Sequence, residues 1–307
     1  MLWLSRRLSE GIAEALPGKV DGDPGAWCAT VAGSIRAAFD DEVLVVTGAT
    51  ASPLVDRASV ERFRAEGFIL VRNAFDPGPL AHEIDTALRE GLRADATVNL
   101  GGGGSGFQSV VLMCELTPVS LSLLDELAPV AARLLDRGVV PGRAKGTRYT
   151  GDTDWHRDSD VPVPGMSFVA YLESLNAANG ALRVRPQSHA DVHAACDPLV
   201  LDTEPGDLIA FDDHLMHSSV GGTVRRQWRI DFGADPANEV EESLVRGDYA
   251  RILDGSWDLG DDVERYPSFG PFWRTLDRPW TTRLGDLGVY ELADRYHAAR
   301  LSGTEAR

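Results

Sequence analysis

The order of apolar and polar residues divides the chain into a mainly helical part and a part made of short strands. From Ala144 onward, short stretches that alternate between apolar and polar residues, or are apolar throughout, lie between turn-forming residues. Such stretches are typical of half-buried and buried strands. Many short strands in succession favour a sandwich or jelly roll. The predicted strands in this part of the chain are 144–149, 155–158, 166–172, 180–184, 207–211 and 226–232.

Upstream of this region, apolar residues recur three or four positions apart, which is the period of an amphipathic helix. Residues 59–67 are predicted to form a capped helix that ends at Gly67, because glycine readily adopts the left-handed conformation. Further helices are predicted over 76–88 and 121–135, and strands over 68–71 and 107–114. We therefore expect a mainly β protein with flanking helices.

These patterns predict one domain that spans residues 1–307. In this interpretation residues 1–57 form a helical N-terminal extension, 58–235 form the core with its supporting helices, and 236–307 form a cover of helices and loops. A run of glycines at 101–104 lacks both nucleotide-binding fingerprints. We predict that it forms a loop over the functional site.

Composition limits the partners and the location of the protein. The net charge of −17, from 30 basic and 47 acidic side chains, disfavours binding to nucleic acids and to anionic membranes. No apolar run reaches the roughly 18 residues of a membrane-spanning helix, and the first residues become charged too soon for a signal peptide. Three widely spaced cysteines (Cys28, Cys114 and Cys196) indicate reduced thiols. We expect a cytoplasmic protein that acts on a small molecule; its oligomeric state has no signal in the sequence.

Two segments carry the candidate metal ligands. Residues i and i+2 of a strand point to the same side, so His156 and Asp158 are predicted to face inward together. A third donor has to come from a neighbouring strand, and His217 lies at the end of an apolar strand predicted to start at Asp207. Two imidazoles and one carboxylate on one face of an ion leave the other positions open, as in non-haem Fe(II) oxygenases. His156, Asp158 and His217 are therefore the predicted metal-binding and catalytic residues.

The order of several motifs resembles the phytanoyl-CoA dioxygenase-like family of Fe(II)/2-oxoglutarate oxygenases. The resemblance covers roughly residues 58–235. The stretches that carry it are 62–72, 154–158, 179–184 with 186–189, 205–218 and 225–229.

This resemblance implies a double-stranded β-helix core (a cupin-like jelly roll), bound Fe(II), 2-oxoglutarate as co-substrate, and O2. His156, Asp158 and His217 would hold the iron. The family pattern has serine after the distal histidine, which favours His217 over the nearby His214. Related halogenases have a small residue in place of the carboxylate, so the presence of Asp158 favours oxygenation.

In the resembling family, an arginine after the distal histidine binds the far carboxylate of 2-oxoglutarate, a task that suits a planar guanidinium. Strand alternation separates Arg225, Gln227, Arg229 and Asp231 from Arg226 and its neighbours. The first set has the character of a cavity lining, so Arg225 is the predicted co-substrate ligand and Arg226 the alternative. Arg229 either binds an anionic group of the substrate or pairs with an acidic residue such as Asp231.

The expected reaction is hydroxylation of an unactivated C–H bond in a small polar metabolite or natural-product intermediate, with release of succinate and CO2. Desaturation, epimerisation and cyclisation use the same ligands and stay open. Two other classes are a cupin-type metal dioxygenase that needs no 2-oxoglutarate, and a binding barrel without catalytic activity.

Overall fold

The computed structural model describes residues 55–92, 97–99, 105–191, 196–222, 224–253 and 262–302. The chain divides into two compact units, Met1–Glu42 with Ala195–Asp197, and Val43–Ala194 with Pro198–Arg307. The fold below is that of the second unit. The helices predicted within 1–54 and the glycine loop predicted at 101–104 lie outside the described residues.

Strands dominate the described part of the chain, and helices precede and follow them. The strands are β1 (Phe68–Val71), β2 (Val98–Asn99), β3 (Gly106–Val111), β4 (Val139–Pro141), β5 (Lys145–Thr150), β6 (Thr153–His156), β7 (Gly165–Tyr171), β8 (Leu182–Val184), β9 (Leu199–Leu201), β10 (Leu208–Asp212), β11 (His217–Ser219) and β12 (Arg225–Ala234). The helices are α1 (Arg57–Glu66), α2 (Pro77–Glu90), α3 (Pro118–Leu135), α4 (Glu239–Ile252), α5 (Pro271–Arg274), α6 (Pro279–Asp286) and α7 (Val289–Leu301).

Two antiparallel sheets form the core of this unit. In the described residues the larger sheet has the order β1-β10-β7-β12-β5-β3-β2, with β4 also paired to β12, and the smaller sheet has the order β6-β11-β8-β9. From β5 onward the chain crosses repeatedly between the sheets, since β5, β7, β10 and β12 lie in the larger sheet and the intervening strands lie in the smaller. This alternation is the double winding of a jelly roll, so the predicted fold class is confirmed.

Helices α2 and α3 cover the outer face of the larger sheet. Gly146 on β5 leaves no room for a side chain, because an added Cβ would lie 3.1 Å from Ile84 of α2. On β12, the Trp228 indole nitrogen donates a hydrogen bond to Ser120 Oγ of α3 at 2.8 Å. Gly146 and Trp228 therefore lie on the outward faces of β5 and β12. The residues directly before and after each of them on its strand face the interior.

Part of the interior between the two sheets is apolar. Val169 and Tyr171 of β7 pack with Ile209 and Phe211 of β10 and with residues of β8 and β9. Polar residues of β5, β6, β11 and β12 border this cluster, with the Phe211 ring centre 4.8 Å from that of His217 and 5.7 Å from the Arg229 guanidinium carbon, and they surround the site described below.

The chain turns more sharply around the two metal-ligand segments than the hydrophobic pattern predicts. The predicted strand 207–211 corresponds to β10 (Leu208–Asp212), but the expectation that His217 ends this strand is wrong, because His217 begins β11 in the other sheet. Asp212 stabilises this turn by accepting a hydrogen bond from the His214 backbone nitrogen at 2.8 Å. The predicted strand 155–158 lies two residues too far along the chain, since β6 spans Thr153–His156 and the Asp158 nitrogen donates instead to Asp213 O at 2.9 Å.

Helix α1 ends at Gly67 as predicted, with the glycine at φ 84°. Its N-cap is Asp56, whose carboxylate accepts a hydrogen bond from Ser59 N at 2.8 Å, so the helix begins earlier than predicted. Cys114 is a free, buried thiol, whereas Cys196 is disulfide-bonded. The prediction of reduced thiols is therefore wrong for Cys196, because separation along the chain does not limit which cysteines meet in a fold. Among the described helices, none has the length and apolar character needed to cross a membrane.

Candidate active site

The two predicted histidine ligands are neighbours in the smaller sheet. His156 ends β6 and His217 begins β11, and the two residues are antiparallel partners with ring centroids 4.2 Å apart. Asp158 Oδ1 lies 3.6 Å from His156 Nε2, and Asp158 Oδ2 lies 3.5 Å from His217 Nε2. One donor atom from each residue lies within 4.8 Å of the other two. Strand pairing thus brings the three side chains together.

Backbone carbonyls orient both imidazoles. His156 Nδ1 lies 2.7 Å from Asp154 O, and His217 Nδ1 lies 2.9 Å from Leu215 O. Because a carbonyl only accepts, each Nδ1 carries a proton, and each Nε2 faces Asp158. Metal-bound histidines usually have such a contact at the other ring nitrogen.

The donor set fits a divalent metal ion. Neighbouring ligands about 2.1 Å from an octahedral ion lie about 3 Å from each other, close to the 3.5 and 3.6 Å separations here. Two nitrogens and one oxygen suit Fe(II) in a site that keeps open positions. His156, Asp158 and His217 are therefore able to hold such an ion after a small inward movement.

The electrostatics hold Asp158 and His217 in the protonation states that ligands need, whereas the pKa of His156 is raised. Burial raises the pKa of Asp158, but Arg229 and His217 outweigh this effect and hold the pKa well below its usual range. Burial lowers the pKa of His217. For His156, burial also lowers the pKa, but the hydrogen bond with Asp158 reverses the net direction. Asp158 is thus anionic, and the buried His217 is neutral.

Arg229 on β12 connects Asp158 to a buried polar cluster. Its Nη2 donates to Asp158 Oδ2 at 2.9 Å and to Ser167 Oγ at 2.7 Å, and its Nε donates to Asp231. Ser167 Oγ also lies 2.8 Å from Asp213 and 2.8 Å from Asp231. Burial, followed by the charge of Asp231, raises the pKa of Asp213 well above its usual range. Of the two possibilities predicted for Arg229, the structure contains the pairing with Asp231.

Arg225 and Arg226 point to opposite sides of β12. Arg225 is 2% exposed and donates to Gly151 O at 2.8 Å and to Ser219 Oγ. Its guanidinium carbon lies 5.3 Å from the ring centre of Tyr149, and its buried Nε has no hydrogen-bond partner among the described residues. Arg226 instead forms ion pairs at 2.6 Å with Asp85 of α2 and with Glu173.

Two other histidines, His214 and His189, lie apart from this trio. His214 forms hydrogen bonds with Asp212 Oδ1 at 3.0 Å and with Val161 O at 2.8 Å. His189 Nε2 lies 3.2 Å from Arg64 O. Both rings already have protein partners, which agrees with the preference for His217 over His214.

A cavity of about 760 Å³ opens beside the trio. His156, Asp158 and Arg229 line it together with Lys145 and Tyr149 of β5. Helix α4 forms another part of the wall, to which it contributes Val245, Tyr249 and Ile252. The volume is in the usual range for small-molecule sites.

The sequence analysis did not identify the contribution of β5 to this cavity. The alternation that separates the two faces of β12 applies equally to residues 143–149. It places Arg143, Lys145, Thr147 and Tyr149 on one face, and all four line the cavity. The sequence does not show which strand lies next to β12. In the structure β5 pairs with it along Arg225–Arg229.

No protein-family model matches the sequence, and no curated protein matches it. Solved structures do match. AviO1 from Streptomyces viridochromogenes Tue57 is 28% identical over 61% of this chain and 98% of that chain, with a TM-score of 0.48. EctD from S. alaskensis in its apoform is 22% identical over 64% of this chain and 82% of that chain, with a TM-score of 0.49.

The non-heme alpha ketoglutarate dependent carbocyclase SnoK from nogalamycin biosynthesis is 13% identical over 61% of this chain and 87% of that chain, with a TM-score of 0.50. At this identity the likeness concerns the fold, and the strand order described above agrees with it. The chain therefore has the jelly-roll fold of SnoK.

Proposed function

We propose that the protein is an Fe(II)/2-oxoglutarate-dependent oxygenase of the phytanoyl-CoA dioxygenase-like kind, with residues 58–235 as its catalytic core and 236–307 as a cover. It hydroxylates an unactivated C–H bond of a small polar metabolite or natural-product intermediate and releases succinate and CO2. The observation that carries this proposal is the convergence of His156 Nε2, His217 Nε2 and the Asp158 carboxylate beside a cavity of about 760 Å³.

In this proposal His156, Asp158 and His217 hold the iron. Iron and 2-oxoglutarate, when bound, activate O2 and supply the oxidising power. The chain supplies position and shields the reacting groups from water. Asp154 O and Leu215 O hold the two imidazoles in the tautomer that exposes Nε2, and Arg229 holds Asp158 as a carboxylate.

Arg225 is the proposed ligand of the far carboxylate of 2-oxoglutarate. Ser219 is two residues after His217 on β11, and its Oγ accepts a hydrogen bond from Arg225. The buried Arg225 Nε has no partner in the described residues, so this guanidinium has donor capacity for a carboxylate. Arg226 has less support, because Asp85 and Glu173 already occupy its side chain.

Tyr149 lies beside Arg225 and completes this end of the interior. Burial raises the pKa of Tyr149 to about 12, so the phenol stays neutral near pH 7. A neutral hydroxyl is able to donate a hydrogen bond to a carboxylate and adds no opposing negative charge. Tyr149 therefore supports an anionic co-substrate next to Arg225.

The product distinguishes hydroxylation from the related outcomes. SnoK, which has the same fold, is named as a carbocyclase, so cyclisation remains the alternative together with desaturation and epimerisation. A cupin-type dioxygenase that does not use 2-oxoglutarate would keep the iron but release no succinate. Mass analysis of the product, combined with a succinate assay, separates these reactions.

The decisive experiment measures iron and co-substrate binding by the full chain under anaerobic conditions. We expect one Fe(II) per chain for the wild type and at least a tenfold loss of affinity for His156→Ala, Asp158→Ala and His217→Ala, because each removes one of three ligands. Asp158→Ala is also expected to abolish substrate hydroxylation. His214→Asn is the matched control, since His214 is close in sequence but outside the trio.

The proposal is contradicted if the trio variants bind iron as the wild type does, or if His214→Asn loses it equally. Succinate release on addition of 2-oxoglutarate and O2 then tests the co-substrate. Iron binding without any succinate release, with or without a metabolite panel, would favour the dioxygenase that does not use a keto acid.

A further inference from the structure

Lysine is rare in this chain, and the lysine in its described part faces the cavity. The chain contains Lys19 and Lys145 but 28 arginines. Lys145 lies on β5 opposite Arg229 of β12, and both side chains line the cavity beside His156 and Asp158. A cation at this position is available to any molecule that occupies the cavity.

The ammonium group of Lys145 is poorly satisfied by the protein. In the described residues it makes no hydrogen bond, and its ion pair is a 3.8 Å contact with Asp231 Oδ2. Asp231 already accepts hydrogen bonds from Arg229 and from Ser167. Burial lowers the pKa of Lys145 to about 8, against the opposing effect of Asp231. An ammonium group has three donors, so Lys145 has unused capacity.

Arg143 adds a second cation to the same wall. It is two residues before Lys145, on the same face of the chain, and it also lines the cavity. Between Arg143 and the acidic residues of the described chain there is no ion pair within 4.0 Å, and its positive charge contributes to the lowered pKa of Lys145. Two like charges held side by side without a full counter-charge are an unfavourable arrangement that a bound anion relieves.

The acidic residues nearest the two cations are already engaged by Arg229, which forms ion pairs with both Asp158 and Asp231. Lys145 shares Asp231 with Arg229 through its 3.8 Å contact, and Arg143 adds a second cation to the same wall of the cavity. In a protein with a net charge of −17, this pair of cations is a local feature of the cavity.

We propose that Arg143 and Lys145 form a subsite for an anionic oxygen group, a carboxylate or a phosphate, on the substrate of the oxygenase. That the anion belongs to the substrate of an oxygenase rests on the proposed function, but anion binding at the subsite does not require iron. The guanidinium of Arg143 binds two oxygens of the anion and Lys145 binds as a point charge.

The surroundings of the subsite indicate what the remainder of the substrate contacts. Val161, Val245 and Ile252 line the same cavity, and they offer apolar surface beside the two cations. A molecule with one anionic group and a compact apolar or mixed body fills both kinds of surface. The anchored anion would direct that body toward the side of the cavity where His156 and Asp158 lie.

The test uses the full chain without iron or 2-oxoglutarate, so that it is independent of turnover. Protein labelled with ¹³C-lysine gives signals from the two lysines alone, and Lys145→Met assigns them. We titrate pH in the presence of benzoate, phenyl phosphate or the neutral analogue benzamide. We expect benzoate or phenyl phosphate to raise the pKa of Lys145 above about 9, because a bound anion stabilises the ammonium form; the stronger of the two identifies the anion.

Matched variants locate the subsite. Arg143→Gln and Lys145→Met are each expected to weaken binding of the better anion by roughly tenfold or more, as loss of a charge-assisted hydrogen bond does; calorimetric titration measures this binding, because Lys145→Met has no Lys145 signal. Arg148→Gln is the control, because Arg148 is on the same strand but contacts Gln108 on the other side. Unchanged binding in Arg148→Gln completes the expected pattern.

Three results would overturn the inference: benzamide acts like the anions, neither anion moves the Lys145 signal, or 2-oxoglutarate displaces the probe competitively. The last result would assign the two cations to the co-substrate. If anions bind but the trio takes up no iron, the proposed function fails and the anion site stands. If iron and succinate release are found without anion binding, only the inference about Arg143 and Lys145 fails.

Discussion

Replacing Lys145 by methionine removes a partly buried ammonium group and keeps most of the side-chain volume. The ammonium is held in a wall of the cavity with a single 3.8 Å contact to Asp231, and burial lowers its pKa from 10.5 to about 8. A cation whose pKa is lowered by folding destabilises the folded state at neutral pH. We therefore expect Lys145→Met to be more stable than the wild type at pH 7.

The size of the effect follows from the pKa difference. At about 1.36 kcal/mol per pH unit, a change from 10.5 to about 8 corresponds to roughly 3 kcal/mol. The side chain is 27% exposed, and solvent screening reduces the effect by about half, to roughly 1.5 kcal/mol. Between pH 8 and pH 10.5 the unfolded chain binds more protons at Lys145 than the folded chain does. The stability of the wild type relative to Lys145→Met therefore rises with pH across this window.

Urea unfolding followed by tryptophan fluorescence measures this difference at several pH values from 7 to 10.5. Subtracting the free energies of unfolding of the two proteins removes the contribution of the tyrosines and arginines, which titrate in both. We expect an advantage of roughly 1.5 kcal/mol for Lys145→Met at pH 7 that declines toward zero at pH 10.5. A constant difference across the range, or a variant that is less stable than the wild type at pH 7, would refute the reasoning.

Three further predictions concern the proposed co-substrate ligand, the pairing of His214 with Asp212, and the glycine that ends helix α1. Arg225→Ala should raise the 2-oxoglutarate concentration for half-maximal succinate release about 10- to 100-fold, and a similar rise in Arg226→Ala instead would contradict the assigned strand face. The hydrogen bond with Asp212 raises the pKa of His214 to about 9. The stability that this pair contributes is therefore present below pH 6.5 and is lost as pH rises through 9. His214→Asn should lower the free energy of unfolding by about 1 to 2 kcal/mol at pH 6 and by less at pH 9, measured by urea unfolding. Gly67→Ala should lower stability by about 1 to 3 kcal/mol, because φ is 84° and an added Cβ would lie 2.5 Å from His189 Nδ1; an unchanged melting temperature would count against this.

The strands that the sequence predicts well have either a continuous apolar run or a simple alternation, with clear turns on both sides. Predicted strand 166–172 corresponds to β7 (Gly165–Tyr171), and 226–232 falls within β12 (Arg225–Ala234). The division between β10 and β11 was missed because its turn contains neither glycine nor proline. An aspartate that accepts a hydrogen bond from the backbone two residues later stabilises it instead. The pair Asp212-Asp213 was the available signal.

The candidate site shows a second limit of the sequence. Alternation separates the residues of one strand into two faces, and it correctly placed Arg226 and Trp228 toward the helices. It does not identify the partner of a side chain on the inner face. The contact of Arg229 with Asp158 depends on the pairing of β12 with β5 and β7 and on the turn after β6, and these are long-range features of the sheet.

The register of β12 gives its two inner arginines different surroundings. Arg225 pairs with Tyr149 near the turn that joins β5 to β6, whereas Arg229 pairs with Lys145 at the other end of β5. Arg225 and Arg229 are four residues apart, which at about 3.3 Å per residue along a strand is roughly 13 Å. On β11, His217 is paired with His156 and Ser219 with Thr153, so the trio lies at the Arg229 end and the Ser219–Arg225 contact lies at the turn end. In the proposed function, strand register therefore sets the distance from the metal ligands to the co-substrate anchor. In the proposed anion subsite, Arg143 and Lys145 at the opposite end of β5 then take part in the choice of substrate.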